Sequence, residues 1–255
     1  MEISLAGESL IGYLLASVRI LAWLAIVPPF SSRAVPGMAK VVLSLGLALA
    51  VGPSIAPTEI PTGNYALAAS LVTQVAVGSA MGMVTFMLFS AIAAAGSLID
   101  VFGGFSLAQG FDPLGMNSNT VFGTFHQLLA TAILFVTNGH LLVIGGLLST
   151  FRFLPVGESP DTSGGTEILV TAFTMFFVTA VQIALPMIAV LFLADVGLAL
   201  LTKVAPQLNA INVMFPAKIG LTLMLLGLSF PVLPQAMERL VDYTQQAMAA
   251  LAGAG

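Results

Sequence analysis

The chain has 255 residues, 58% hydrophobic and only 7% charged, with a mean hydropathy of +1.06. Soluble domains carry about 25% charged residues, so this composition excludes a water-soluble fold and points to an integral membrane protein. The net charge of -4 rests on few groups, and no basic cluster offers phosphate contacts, which excludes a nucleic-acid partner. With no cysteine, disulfides and thiolate metal sites are excluded too.

Residues 10–27 form a first apolar run with Arg19 near its middle. Glu2 and Glu8 stand where a cleavable signal would carry Lys or Arg, so this run is read as a retained helix. Pro28 and Pro29 end it. The connector PPFSSRAVPGMAK carries Arg33 and Lys40 and no acid. Residues 41–56 read as a second helix, closed by the polar turn 57–64. The positive-inside rule puts the basic connector in the cytoplasm and the N-terminus outside.

Residues 65–99 are apolar throughout. A continuous helix of that length would span roughly 52 Å, against a hydrocarbon core of about 30 Å. It must tilt, break or rise out of the bilayer. Gly78 and Gly82 sit four residues apart in it, a spacing that favours close helix packing, with a hinge as the alternative.

The stretch 97–119, SLIDVFGGFSLAQGFDPLGMNSN, is the longest break in hydrophobic character. Gly103, Gly104, Gly110 and Gly115 free the backbone, and Pro113 blocks helix continuation. Phe102, Phe105, Leu107, Phe111, Leu114 and Met116 nevertheless run through it. Lipid cannot satisfy irregular backbone, so such a segment belongs inside protein or beside a lumen, and its expected role is a gate. Asp112 before Pro113 is read as a turn initiator rather than a catalytic group.

Residues 120–136 and 141–154 read as two short apolar helices joined at Asn138, Gly139 and His140, with glycine in the position after a helix end. Each is short for a full crossing, so a re-entrant or broken hairpin is expected. The loop 155–166 is polar and acidic and reads as non-cytoplasmic. Residues 168–194 form another long helix with Pro186 as a kink, followed by Asp195 and a short continuation to Lys203. A turn at 205–209 containing Pro206, Gln207 and Asn209 precedes a helix over 213–232, with Lys218 near its start. The segment from Asp195 to Lys218 reads as cytoplasmic. Simple alternation of seven spans puts both the acidic loop and this turn on the wrong side. The conflict disappears if 65–154 returns to the side it began on. The tail, 234–255, places Met237, Leu240, Val241, Met248 and Leu251 at helical spacing, which predicts a weak amphipathic helix with a disordered end.

Several of these segments together resemble the FliR/SctT family of the type III secretion export gate. They are 28–40 (PPFSSRAVPGMAK), 104–113 (GFSLAQGFDP), 135–155 with Asn138-Gly139-His140 and TFRFLP, and 205–209 with Phe215-Pro216-Ala217-Lys218. The resemblance covers nearly the whole chain and leans flagellar. It implies an all-α polytopic membrane protein with long kinked helices. A FliP-like part over 10–160 would hold a plug loop at 105–117. A FliQ-like helical hairpin would cover 167–233, and 234–255 would be a tail. It further implies assembly with FliP-like and FliQ-like subunits and an FlhB-like protein in the flagellar basal body of the bacterial cytoplasmic membrane. Unfolded proteins would pass through that conduit. The plug would use Phe105, Leu107, Gly110, Phe111, Asp112, Pro113 and Met116. Gly78, Gly82, Gly103, Gly104, Asn138 and Gly139 would serve as hinge or packing points. Lys203, Pro206, Gln207, Asn209 and Lys218 would lie at the cytoplasmic turn. No cofactor and no metal are implied, and the role is not enzymatic.

Apolar side chains in a constriction gate by excluding water, and glycines let a loop swing aside. The plainer reading is a buried connector that only packs. Arg19, Asp100, His126 and Asp195 lie in or beside apolar runs, where an ionised side chain costs about 2.5–3.5 kcal/mol. A proton relay is one reading; polar groups satisfied at subunit contacts is the preferred one. Two rival functions differ in class. A self-contained secondary transporter would need an internal repeat. An intramembrane hydrolase using Asp100 or His126 would need a paired acid or a nucleophile–base set. The sequence offers neither convincingly.

Overall fold

The computed structural model describes residues 2–55, 63–105, 120–160, 164–204 and 210–254. In chain order the helices are α1 (Glu2–Ile26), α2 (Gly37–Ile55), α3 (Asn64–Gly103), α4 (Val121–Val136), α5 (Gly139–Phe153), α6 (Gly165–Val204), α7 (Ala210–Leu225) and α8 (Val232–Leu251). A single 3-10 turn, Leu226–Leu228, follows α7. The described residues contain helix and no strand. The protein is therefore an all-α polytopic membrane protein.

Among the described residues, three helical stretches are long and apolar enough to cross a bilayer: Ser9–Ile26, Asn64–Gly103 and Gly165–Val204. Two further pairs pass only together. Val121–Val136 and Gly139–Phe153 are bent by 75° at their junction, and Pro216–Leu228 and Val232–Leu251 by 61°. The first pair is the broken hairpin expected at Asn138. The left-handed residue there is Asn138, at φ 57°, and not Gly139, which instead opens α5. Asparagine tolerates that conformation because its short polar side chain costs little there.

The helix over 65–99 does not break; α3 runs unbroken for 40 residues. Likewise α6 continues through Asp195 to Val204 with Pro186 inside it, so the expected short continuation is part of the same helix. The helix expected over 213–232 is divided instead. It ends as α7 at Leu225, turns through the 3-10 segment, and restarts at Val232.

Two compact units emerge. The first comprises Met1–Leu88, Asn138–Phe173 and Leu240–Gly255. Its core draws Ile20, Trp23 and Leu24 from α1, Met81 and Leu88 from α3, Leu147 and Phe151 from α5, and Met248 from α8. Gly78 and Gly82 lie where α3 meets α1. A Cβ on Gly78 would collide with the backbone carbonyl of Arg19, and one on Gly82 would lie 3.2 Å from the Cβ of Ile26. Close approach of two backbones requires glycine at such a point. The second unit comprises Phe89–Thr137 and Thr174–Arg239. Its core includes Ile92 and Ile99 of α3, Phe122 and Leu134 of α4, and Ile183, Met187 and Leu191 of α6.

The C-terminal end is ordered rather than loose through Ala254. Met237, Leu240, Val241 and Met248 are buried, while Glu238, Arg239 and Asp242 are exposed. Within the first unit, Gln245 donates to the carbonyl of Leu142 at 2.7 Å. A Cβ on Gly146 would lie 3.0 Å from Gln245 and Met248 side-chain atoms, so α5 and α8 approach closely there. Gly253 at φ 87° then closes the helix, with the Ala254 amide donating to the Ala249 carbonyl at 3.0 Å. That is the bond pattern of a glycine-terminated helix end.

Candidate functional site

The candidate site is the base of the segment 106–119, in the second unit. Helix α3 ends there on a glycine signal. Gly104 takes φ 84°, and the Phe105 amide donates back to the Asp100 carbonyl at 3.0 Å. This six-to-one bond satisfies a carbonyl that the helix end would leave free.

Thr120 is the residue before α4. Its side chain makes no capping bond to the helix. Instead its hydroxyl lies 2.8 Å from that of Ser97 on α3. The capping is done by Asp100, whose Oδ2 accepts the amides of Phe122 at 2.9 Å and Gly123 at 3.3 Å. A carboxylate on the free amides of a helix start is favoured by hydrogen bonding and by the helix dipole together. Gly96 and Gly123 make the approach possible. A Cβ on Gly96 would strike the Phe122 carbonyl, and one on Gly123 would lie 2.7 Å from Ser97 Oγ. Phe105 packs edge-on against Phe122, with ring centroids 4.9 Å apart. Gly103 lies against α7, where a Cβ would come within 2.8 Å of Thr222 Oγ1. Phe105 and Thr120, the described residues on either side of 106–119, therefore both stand beside the junction of α3 with the start of α4.

His126, one turn into α4, is fully buried. Its Nδ1 lies 2.9 Å from the Phe122 carbonyl, so Nδ1 carries the proton and donates; Nε2 lies 3.2 Å from Ser229 Oγ. Lys218 on α7 pairs with Asp195 on α6, Nζ lying 2.8 Å from Oδ1 and 2.9 Å from Oδ2. In the first unit, Arg19 Nε donates to Gln74 Oε1 at 2.6 Å and Nη1 to the Leu154 carbonyl at 2.9 Å, with the guanidinium 4.2 Å over the Phe151 ring.

These pairings correct one expectation. Arg19, Asp100 and His126 are completely buried within the chain rather than at its surface, and the bonds just described go to its own backbone and side chains, leaving Arg19 Nη2 and Asp100 Oδ1 without a partner among the described residues. Burial removes water from these groups, so bonds close at hand must replace it.

Of the residues expected at the plug, Phe105 is described and stands at the foot of the segment. Leu107, Gly110, Phe111, Asp112, Pro113 and Met116 lie outside the described residues. Gly103 and Gly104 form the helix end. At the expected turn, Lys203 is exposed in the last turn of α6, and Lys218 is half-buried on α7. Pro206, Gln207 and Asn209 lie outside the described residues. Sequence reasoning missed Ser97, Thr120, Gln74 and Ser229. Their partners stand 23 to 103 residues away, and nothing in local spacing signals them. The described residues contain no cluster of His, Cys, Asp or Glu able to hold a metal ion.

Residues 10–244 match the family described as bacterial export proteins, family 1. The flagellar biosynthetic protein FliR of Pectobacterium carotovorum subsp. carotovorum is 33% identical over 223 residues, covering 88% of this chain and 85% of that protein. The FliR protein of Escherichia coli K12 is 30% identical over the same shares. That of Bacillus subtilis strain 168 is 28% identical over 240 residues, 92% of each chain. A match of this extent shows membership, and the chain belongs to the bacterial export protein family 1, together with these FliR proteins.

Proposed function

We propose that the chain is a non-enzymatic subunit of the flagellar type III protein export gate. With FliP-like and FliQ-like subunits it forms the conduit through which unfolded flagellar proteins leave the cell, and an FlhB-like protein adjoins the entrance. The gate sits in the cytoplasmic membrane within the flagellar basal body. The segment around 105–117 seals the pore, Phe105 and the apolar residues after it excluding water from the constriction. Residues 10–160 act as the FliP-like part, 167–233 as the FliQ-like hairpin with its turn near Lys203 to Lys218 in the cytoplasm, and 234–255 as a tail.

The observation that carries this reading is the length of apolar surface on α6. Large exposed hydrophobic side chains run along it from Leu169 and Val170 through Phe177, Leu185 and Leu193 to Leu200 and Val204. At 1.5 Å per residue the helix from Leu169 to Val204 extends roughly 52 Å. A hydrocarbon core of about 30 Å would cover it only at a tilt well beyond the range of about 0–40° that membrane helices adopt. Lipid alone does not suffice, and apolar helices of neighbouring subunits supply the rest.

The test is the native mass of the affinity-tagged chain, gently extracted from its own host's membrane, with co-purifying proteins identified. A large complex holding several copies of two smaller hydrophobic proteins is expected. A lone chain or simple homodimer that carries a solute would overturn the reading in favour of a secondary transporter.

A further inference from the structure

The polar core of the first unit is one-sided. Three buried side-chain atoms there have no hydrogen-bond partner among the described residues: Arg19 Nη2, Gln74 Nε2 and Trp23 Nε1. All three are donors. Arg19, Gln74 and Trp23 are each 0% exposed. Arg19 and Trp23 stand one turn apart on the same face of α1, and Gln74 is joined to Arg19 by the 2.6 Å bond from Nε.

The guanidinium explains the arrangement. Its Nε and Nη2 share one edge, the edge a carboxylate grips with two oxygens. Gln74 brings one oxygen to that edge, for Nε. Its other terminal atom is itself a donor, so Nη2 is left without an acceptor beside an amide nitrogen in the same condition. Among the described residues no carboxylate pairs with Arg19. Arg152 and Glu158, the charged groups nearest in sequence to Leu154, are exposed. The remaining compensation is the end of α5, where Nη1 holds the Leu154 carbonyl at the negative pole of the helix dipole.

We propose that Arg19 and Gln74 form a buried site for a monovalent, halide-sized anion, with Trp23 beside it. A water molecule would accept bonds here but would bring two donors of its own to a place already short of acceptors. An anion accepts only, and it neutralises a charge that is costly to bury alone. Leu154 is followed closely by exposed Gly157, Glu158 and Ser159, so the guanidinium is bonded to the end of α5 next to an exposed polar stretch of chain. The bound anion joins α1, α3 and the end of α5 through one guanidinium and stiffens the first unit. This inference does not depend on the export reading, and its test is separate.

Trp23 is the only tryptophan of the chain, which makes it a reporter. The full chain, purified in detergent in a chloride-free buffer, is titrated with iodide while tryptophan emission is followed. Saturable quenching is expected, reversed by competing chloride. Gln74→Glu is nearly isosteric and supplies the missing second oxygen to the same edge. It should keep the helical circular dichroism of the parent and raise the half-saturating iodide concentration by about tenfold or more, as expected for losing one hydrogen bond to a charged group. Quenching of the parent that is absent or strictly linear in iodide overturns the proposal, as does a Gln74→Glu variant that saturates like the parent.

Discussion

Asp100 and Phe122 join two helices: the carboxylate at the end of α3 accepts the amide at the start of α4 at 2.9 Å. The same oxygen takes the Gly123 amide. The bond lets α4 begin where its own preceding residue, Thr120, offers no cap. Asp100→Ala should therefore destabilise the protein by about 2 kcal/mol, the range for buried bonds to a charged group. Asp100→Asn, which keeps an acceptor, should lose less. Thermal unfolding in detergent reads both, and equal midpoints for parent and Asp100→Ala would count against the capping role.

Deleting 106–110 tests the seal without touching that junction. Phe105, Asp100, Ser97 and Thr120 all remain. The expected outcome is a fully assembled complex whose membrane leaks small ions. Unchanged conductance in a complex of normal composition would refute the plug.

Gly78 and Gly46 make a matched pair of substitutions within helices. A Cβ at Gly78 meets the Arg19 carbonyl, whereas one at Gly46 meets nothing within 4 Å. Gly78→Ala should cost about 1–3 kcal/mol by forcing α1 and α3 apart. Gly46→Ala should be neutral or gain up to about 1 kcal/mol from helix propensity. Denaturation midpoints that move together for the two variants would refute the close approach.

The Asp195–Lys218 pair joins α6 to α7 through both carboxylate oxygens. About a third of the Asp195 side chain is exposed, so solvent screening limits the pair to about 1 kcal/mol. A double-mutant cycle with Asp195→Asn and Lys218→Met should show coupling of that size, and the exchange Asp195→Lys with Lys218→Asp should recover part of the loss. Strict additivity of the two single changes would mean that the pair contributes nothing.

The amino-acid sequence by itself determined the class of this protein and much of its segmentation. A chain with 7% charged residues has no means of keeping its surface in water. Pro28 and Pro29, Gly103 and Gly104, and Asn138 each stop or bend a helix by local sterics that need no tertiary partner. The tail was legible for a related reason: Glu238, Arg239 and Asp242 alternate with apolar residues, so the buried face could be read from period alone. Elsewhere every face of a helix is apolar, and periodicity carries no contrast. There the tertiary structure decided. It chose which side of α3 meets α1, because only at Gly78 and Gly82 can the two backbones approach. It also chose the partners of Arg19, Asp100 and His126. Those partners, Gln74 and the Leu154 carbonyl, the amides of Phe122 and Gly123, and Ser229, come from parts of the chain 22 to 135 residues away. A buried polar group takes whichever complementary group the packed helices bring within about 3 Å, and that juxtaposition exists only once the helices have packed.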